Sequence, residues 1–191
     1  QIWAWKENRV KSIKRYINQM YVILPFEKEF YEKKHNYNVQ YFGHPLVNII
    51  DESLKSFNKK NKKKPIIAIL PGSRKQEINL ILVKILDITN DFEEYEFVVA
   101  GINHIKKETY NKVIKNKNIR VVFNQTYELL NNSKAAIVTS GTATLETALI
   151  GTPQIVCYVT NSFNIFLARL FVKINFISLV NLILNKETVK E

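Results

Sequence analysis

Cysteine is nearly absent from this 191-residue chain, which has one, Cys157, so no disulfide can form within it. The thiol lies in the apolar run Ile155 to Val159, which suits a buried thiol in a reducing cytoplasm. Long hydrophobic runs are lacking too. No stretch reaches the roughly 18 to 20 apolar residues of a membrane span, and Gln1 opens on no charged leader or cleavage site, so neither a span nor a signal peptide is expected. Apolar content overall is not scarce: at 46% hydrophobic the chain can bury a sizeable core and is no disordered tail.

Acidic residues are outnumbered, for a formal charge of +11, and the imbalance is uneven. Residues 1–64 hold 14 Lys/Arg against 6 Asp/Glu, whereas 65–191 hold 14 against 11, so an anionic partner is expected on the first part. The run Lys59 to Lys64 reads as a solvated linker. Lys6, Arg9, Lys11, Lys14 and Arg15 instead interleave with Val10, Ile13 and Ile17 at helical spacing. Such a basic amphipathic helix either lies on anionic lipid or packs on a sheet.

The apolar periodicity predicts strands over Ile2–Trp5, Met20–Leu24 and Val39–Phe42, with helices over Asn8–Asn18 and Glu27–Lys34 between them. After the Lys-rich stretch the pattern restarts. Strands are predicted at Ile66–Leu70, Glu96–Ala100, Ile119–Phe123, Ala135–Val138 and Gln154–Tyr158, with helices at Glu77–Thr89, His104–Lys115 and Tyr127–Asn131. Alternation of this kind implies parallel pairing with right-handed crossovers, an α/β fold with a doubly wound sheet flanked by helices.

Two strand ends open into small-residue turns that enter helices: Pro71-Gly72-Ser73-Arg74 after Leu70, and Ser140-Gly141-Thr142-Ala143-Thr144-Leu145-Glu146 after Val138. Unpaired N–H groups at such a helix start suit a phosphate, and glycine allows close approach. Thr142 or Ser140 is the expected N-cap. Arg74 can grip a phosphate with two parallel hydrogen bonds, or pair with Glu77 on the surface. Glu146, one turn in, can accept from a ribose diol, or be an ordinary helix carboxylate. His44 stands in the turn Gly43-His44-Pro45, a structural hydrogen-bonder or a residue facing a cleft, with no catalytic role assigned.

Taken in order, Gln1-Ile2-Trp3-Ala4-Trp5-Lys6, Arg9-Val10-Lys11, Leu24-Pro25-Phe26-Glu27, Phe42-Gly43-His44-Pro45-Leu46-Val47, Leu70 to Arg74, Ser140 to Glu146 and Ile177-Ser178-Leu179-Val180-Asn181-Leu182-Ile183 resemble the lipid-A-disaccharide synthase family. The resemblance implies a GT-B glycosyltransferase of two Rossmann-like lobes. Such an enzyme joins UDP-2,3-diacylglucosamine to 2,3-diacylglucosamine 1-phosphate with inversion, releasing UDP, on the cytoplasmic face of the inner membrane. By resemblance the UDP-sugar site comprises Gly72, Ser73, Arg74, Ser140, Gly141, Thr142, Glu146 and Asn181, with His44 in the cleft; Asn181 either bonds the uracil or diphosphate or is a turn amide. Val180 stands where many members have proline.

The implied division is 1–58, the end of the acceptor-side lobe; 59–64, the linker; and 65–191, the UDP lobe. Most of the first lobe, with the general base, and the C-terminal end would lie outside this chain, which by itself should bind UDP without turnover. No Asp-x-Asp pair occurs, so neither metal nor cofactor is expected, and helix N-termini with Arg74 would stabilise the leaving UDP. A homodimer is left open. The apolar stretch Phe163 to Val172 reads as core or as a membrane-inserting helix. Two other readings remain: a GT-B relative using UDP-N-acetylglucosamine, and a basic nucleic-acid-binding module. Against the latter, no nucleic-acid motif occurs, and Phe26, Phe30, Tyr31 and Tyr41 fall at core spacing.

Overall fold

The apolar runs Ile66–Leu70, Glu96–Gly101 and Ser133–Thr139 become the three central strands of one sheet, as expected for segments buried on both faces. This computed structural model describes residues 2–57, 64–115, 119–139, 141–158 and 176–191. In chain order the larger body is β3 (Ile66–Leu70), α5 (Lys75–Ile88), β4 (Glu96–Gly101), α6 (Lys107–Ile114), β5 (Arg120–Phe123), α7 (Thr126–Asn131), β6 (Ser133–Thr139), α8 (Thr142–Ile150), β7 (Gln154–Cys157) and α9 (Leu179–Leu184). All pairings are parallel, in the order β5-β4-β3-β6-β7. The chain therefore winds outward from β3 in one direction, then returns to β3's other side at β6.

Alternation along the strands splits the core into two layers. Ile69, Phe97, Val99 and Ile137 pack under α5 and α6 with Ile78, Leu82 and Tyr110. Ile66, Ala68, Val98, Ala136 and Val138 pack on the other face with Leu129 and Leu130 of α7. Cys157 sits half-buried beside the first layer, and burial pushes its thiol pKa up.

Residues 2–57 form α1 (Ile2–Trp5), a 3-10 turn (Glu7–Arg9), α2 (Val10–Tyr16), β1 (Tyr21–Val22), α3 (Pro25–Glu29), a π-helical turn (Phe30–Lys34), β2 (Gln40–Tyr41) and α4 (Leu46–Lys55). β1 and β2 pair in parallel around a small core of Val10, Val22, Tyr31 and Val39. Helix α4 packs on α7 and α8 of the larger body.

Three expectations are corrected here. Ile2–Trp5 is a helix rather than a strand: Lys6 N–H donates to Ile2 O at 3.2 Å. Four apolar residues carry too little periodicity to tell the two apart, and the choice follows from packing. Ile2 packs against the Val10 cluster, while the Trp3 ring meets Phe26 edge-on at 4.8 Å and donates from Nε1 to Glu27 Oε1. The first segment thus has two strands. Helix α4, absent from the predicted elements, is the second difference: Leu46, Ile50 and Leu54 recur at helical spacing, with Ile50 buried and Leu46 and Leu54 half-buried, while Val47 and Ile49 are exposed. Third, Tyr41 is not core: it lies 38% exposed on the short sheet. The Lys-rich run 59–63 and the stretch 163–172 lie outside the described residues.

Candidate nucleotide site

β3 and β6 lie side by side, and their crossovers run to opposite sides of the sheet. The loops leaving their carboxyl ends therefore part from each other, and the gap between them is where open α/β sheets take ligands. A cavity of about 880 Å³ opens there, lined by Gly72, Ser73, Arg74 and Glu77 from the first loop and by Thr139, Gly141, Thr142, Ala143 and Glu146 from the second.

Both loops turn on a glycine. Gly72 has φ +93°, and a Cβ there would stand 2.8 Å from Glu77 Oε2. Gly141 has φ +128° and is itself the N-cap of α8, making no side-chain cap bond. That corrects the expected hydroxyl cap. Ser140 lies outside the described residues, Thr142 is the first helical residue, and the hydroxyl of Thr144 donates to Gly141 O at 2.8 Å. The N–H groups of Thr142 and Ala143 precede the first bond of the helix, Thr144 N–H to Gly141 O at 3.2 Å. α5 starts likewise after Arg74, its first bond being Ile78 N–H to Arg74 O at 3.0 Å. Two helices of 14 and 9 residues thus begin at one cavity, each with the positive end of its dipole there.

Arg74 is 80% exposed and donates from Nη1 to Glu77 Oε1 at 2.7 Å. An exposed pair of this kind is worth about 0–1 kcal/mol, so the guanidinium can leave it for a more highly charged anion. His104 Nε2 lies 3.0 Å from Ser73 O, and because a carbonyl only accepts, that nitrogen is the donor. His104 thereby braces the Ser73 turn. The Thr139 hydroxyl is buried with no partner among the described residues.

Glu146 is half-buried on the wall between this cavity and a second of about 450 Å³, lined by Ser53, Phe57, Asn124, Gln125 and Tyr127. The Tyr127 hydroxyl donates to Glu146 Oε1 at 3.0 Å. Burial, then the Glu146 charge and this hydrogen bond, push the Tyr127 pKa up to about 12, so its hydroxyl remains a donor at neutral pH. Tyr127 was not foreseen as part of the site. It precedes Glu146 by 19 residues, and only the packing of α7 on α8 brings the two together.

Gly72, Ser73, Arg74, Gly141, Thr142 and Glu146 are brought to one cavity; Asn181 and His44 are not among its lining residues. Asn181 is fully buried at the start of α9. Its Oδ1 accepts from Thr188 N–H (2.7 Å) and Val189 N–H (2.9 Å), and its Nδ2 donates to Val189 O (2.8 Å). Of the two roles open to Asn181, these bonds fill that of a turn amide, one that holds the C-terminal segment so that Lys190 O can accept from Val156 N–H at 2.7 Å. His44 Nδ1 accepts from Leu46 N–H at 3.2 Å, stabilising the turn into α4. Among the described residues no group of three or more His, Cys, Asp or Glu side chains is placed to hold a metal, and no helix is long and apolar enough to cross a membrane.

A parallel sheet whose adjacent strands β3 and β6 deliver a pair of helix N-termini, an arginine and a carboxylate to one cavity at the point of strand reversal defines a Rossmann-like lobe of GT-B type. The chain belongs to the lipid-A-disaccharide synthetase family, whose model matches residues 1–191. It is 36% identical over 214 residues to the lipid-A-disaccharide synthase of Sulfurihydrogenibium sp. (strain YO3AOP1), covering 100% of this chain and 55% of that protein. It is 35% identical over 193 residues to that of Aquifex aeolicus (strain VF5), covering 100% and 54%. The chain thus spans about half the length of these relatives. Among solved structures, a UDP-GlcNAc 2-epimerase from Neisseria meningitidis bound to UDP-GlcNAc shares the fold. Its TM-score is 0.51 at 19% identity, over 78% of this chain and 46% of that one.

Proposed function

We propose that this chain is the donor-binding part of a glycosyltransferase of lipid A biosynthesis. The enzyme transfers the sugar of UDP-2,3-diacylglucosamine to 2,3-diacylglucosamine 1-phosphate with inversion, giving the disaccharide 1-phosphate and UDP. The observation that carries the reading is the convergence of the α5 and α8 N-termini with Arg74 and Glu146 at one cavity. The diphosphate would lie between the N–H groups of Thr142 and Ala143 and the Gly72-Ser73-Arg74 turn. There the two dipoles and the guanidinium take up the negative charge that grows on the departing UDP. The ribose diol would meet Glu146, which leaves the base on the Asn124 and Gln125 side, in the second cavity. None of this needs a metal.

The division into an acceptor-side segment 1–58, a linker 59–64 and a donor lobe 65–191 belongs to the same proposal, and no residue of this chain is assigned as the base for the acceptor hydroxyl. Contact with the inner face of the inner membrane would fall to α2. Its Lys11, Lys14 and Arg15 are exposed, and Tyr16 and Ile17 beside them are 69% and 44% exposed.

Calorimetric titration with UDP tests the donor site. Binding that Arg74→Ala weakens about ten- to a hundredfold, the loss of a charged hydrogen-bonding group, supports it. No heat from the folded protein, or equal binding by the variant, rejects it.

A further inference from the structure

We propose that Tyr127 is a positioning residue for the nucleotide: its hydroxyl holds one oxygen of the Glu146 carboxylate so that the other is presented to the ribose diol. The inference rests on the donor-site reading above.

Glu146 stands on the wall shared by the two cavities, so its side chain can turn toward either. A glutamate has several rotamers to lose on binding. The 3.0 Å bond from Tyr127 to Oε1 selects among them, and Oε2 has no partner among the described residues. Tyr127 sits in the first turn of α7, which packs directly on α8, so donor and acceptor are carried by two mutually braced helices. A carboxylate fixed in this way accepts from a vicinal diol without first being ordered, which is how preorganisation raises affinity. The tyrosine itself need not touch the nucleotide.

The arrangement predicts a selective effect. Removing the Tyr127 hydroxyl should weaken only ligands that use the diol, whereas a tyrosine serving the fold alone would weaken all nucleotides alike. The test measures binding of UDP and of 2′-deoxy-UDP to the wild-type protein, Tyr127→Phe and Glu146→Gln. The wild type is expected to prefer UDP by about tenfold, the worth of a hydrogen bond to a charged group. Glu146→Gln should bring the ratio near one. Tyr127→Phe should cut it to within about threefold by weakening UDP while leaving 2′-deoxy-UDP unchanged.

If Tyr127→Phe keeps the wild-type ratio, or weakens both nucleotides equally, the positioning role is overturned while the donor site stands. If the wild type itself does not discriminate, or Glu146→Gln still does, then Glu146 does not hold the ribose, and the inference fails with that part of the donor-site reading; if the folded wild type binds neither nucleotide, the donor-site reading fails as a whole. Phenylalanine keeps the ring and loses only the hydroxyl, and circular dichroism with thermal melting confirms that the variant is folded.

Discussion

Arg74 and Glu77 illustrate how little a residue's own neighbourhood decides. Their 2.7 Å ion pair is the plain surface contact that the i,i+3 spacing suggests, yet it sits at the mouth of the cavity, where a diphosphate would compete for the same guanidinium. The glycines, Arg74 and Glu146 were legible in the sequence because strand–turn–helix chemistry is local. Tyr127 was not, since its partner is Glu146 and only tertiary packing supplies it. Buried rings also set an alkaline limit, Tyr110 among them, its pKa raised by burial. Burial first, and then nearby charge, push Tyr31 and Tyr127 up to about 12. The native chain therefore holds these protons longer than an unfolded one, whose tyrosines lose them near pH 10. Stability should be complete below about pH 10 and fall as pH climbs toward 12, by about 2 kcal/mol per ring. Tyr31→Phe and Tyr127→Phe should each flatten that alkaline limb in denaturant melts taken across the range.

Two short elements decide whether the site keeps its shape. The Gly72 turn combines φ +93° with Glu77 Oε2 lying where a Cβ would press, so Gly72→Ala should cost about 1–3 kcal/mol and weaken UDP binding together with stability. The α9 start depends on the Asn181 amide. Asn181→Ala removes three hydrogen bonds to Thr188 and Val189, at about 0.5–1.5 kcal/mol each, so its melting temperature should fall while UDP affinity of the folded protein stays within about threefold of wild type. The reverse, intact stability with lost affinity, would return Asn181 to the ligand. The long buried strands β3, β4 and β6 were readable from their apolar runs. The short strands β1 and β2 were readable too, though shorter than expected, whereas the four residues of α1 were not, because their conformation follows from what they pack against.

In the molecule as a whole, the basic helix α2 and the proposed nucleotide cavity occupy different bodies. Exposed Lys11, Lys14 and Arg15 belong to the small β1–β2 unit, and the cavity to the five-stranded sheet. Replacing all three by alanine should lower binding to anionic vesicles by about 1 kcal/mol per charge, with UDP affinity unchanged, as co-sedimentation would show. The central claim is narrower: the point of strand reversal holds the UDP of a sugar donor. A crystal structure of the protein with UDP tests it most directly. The account predicts the diphosphate against Arg74 and the N–H groups of Thr142 and Ala143, the ribose diol on Glu146, and the base toward Asn124 and Gln125. UDP bound elsewhere, or lying in the reverse direction with its base at Arg74, would contradict it.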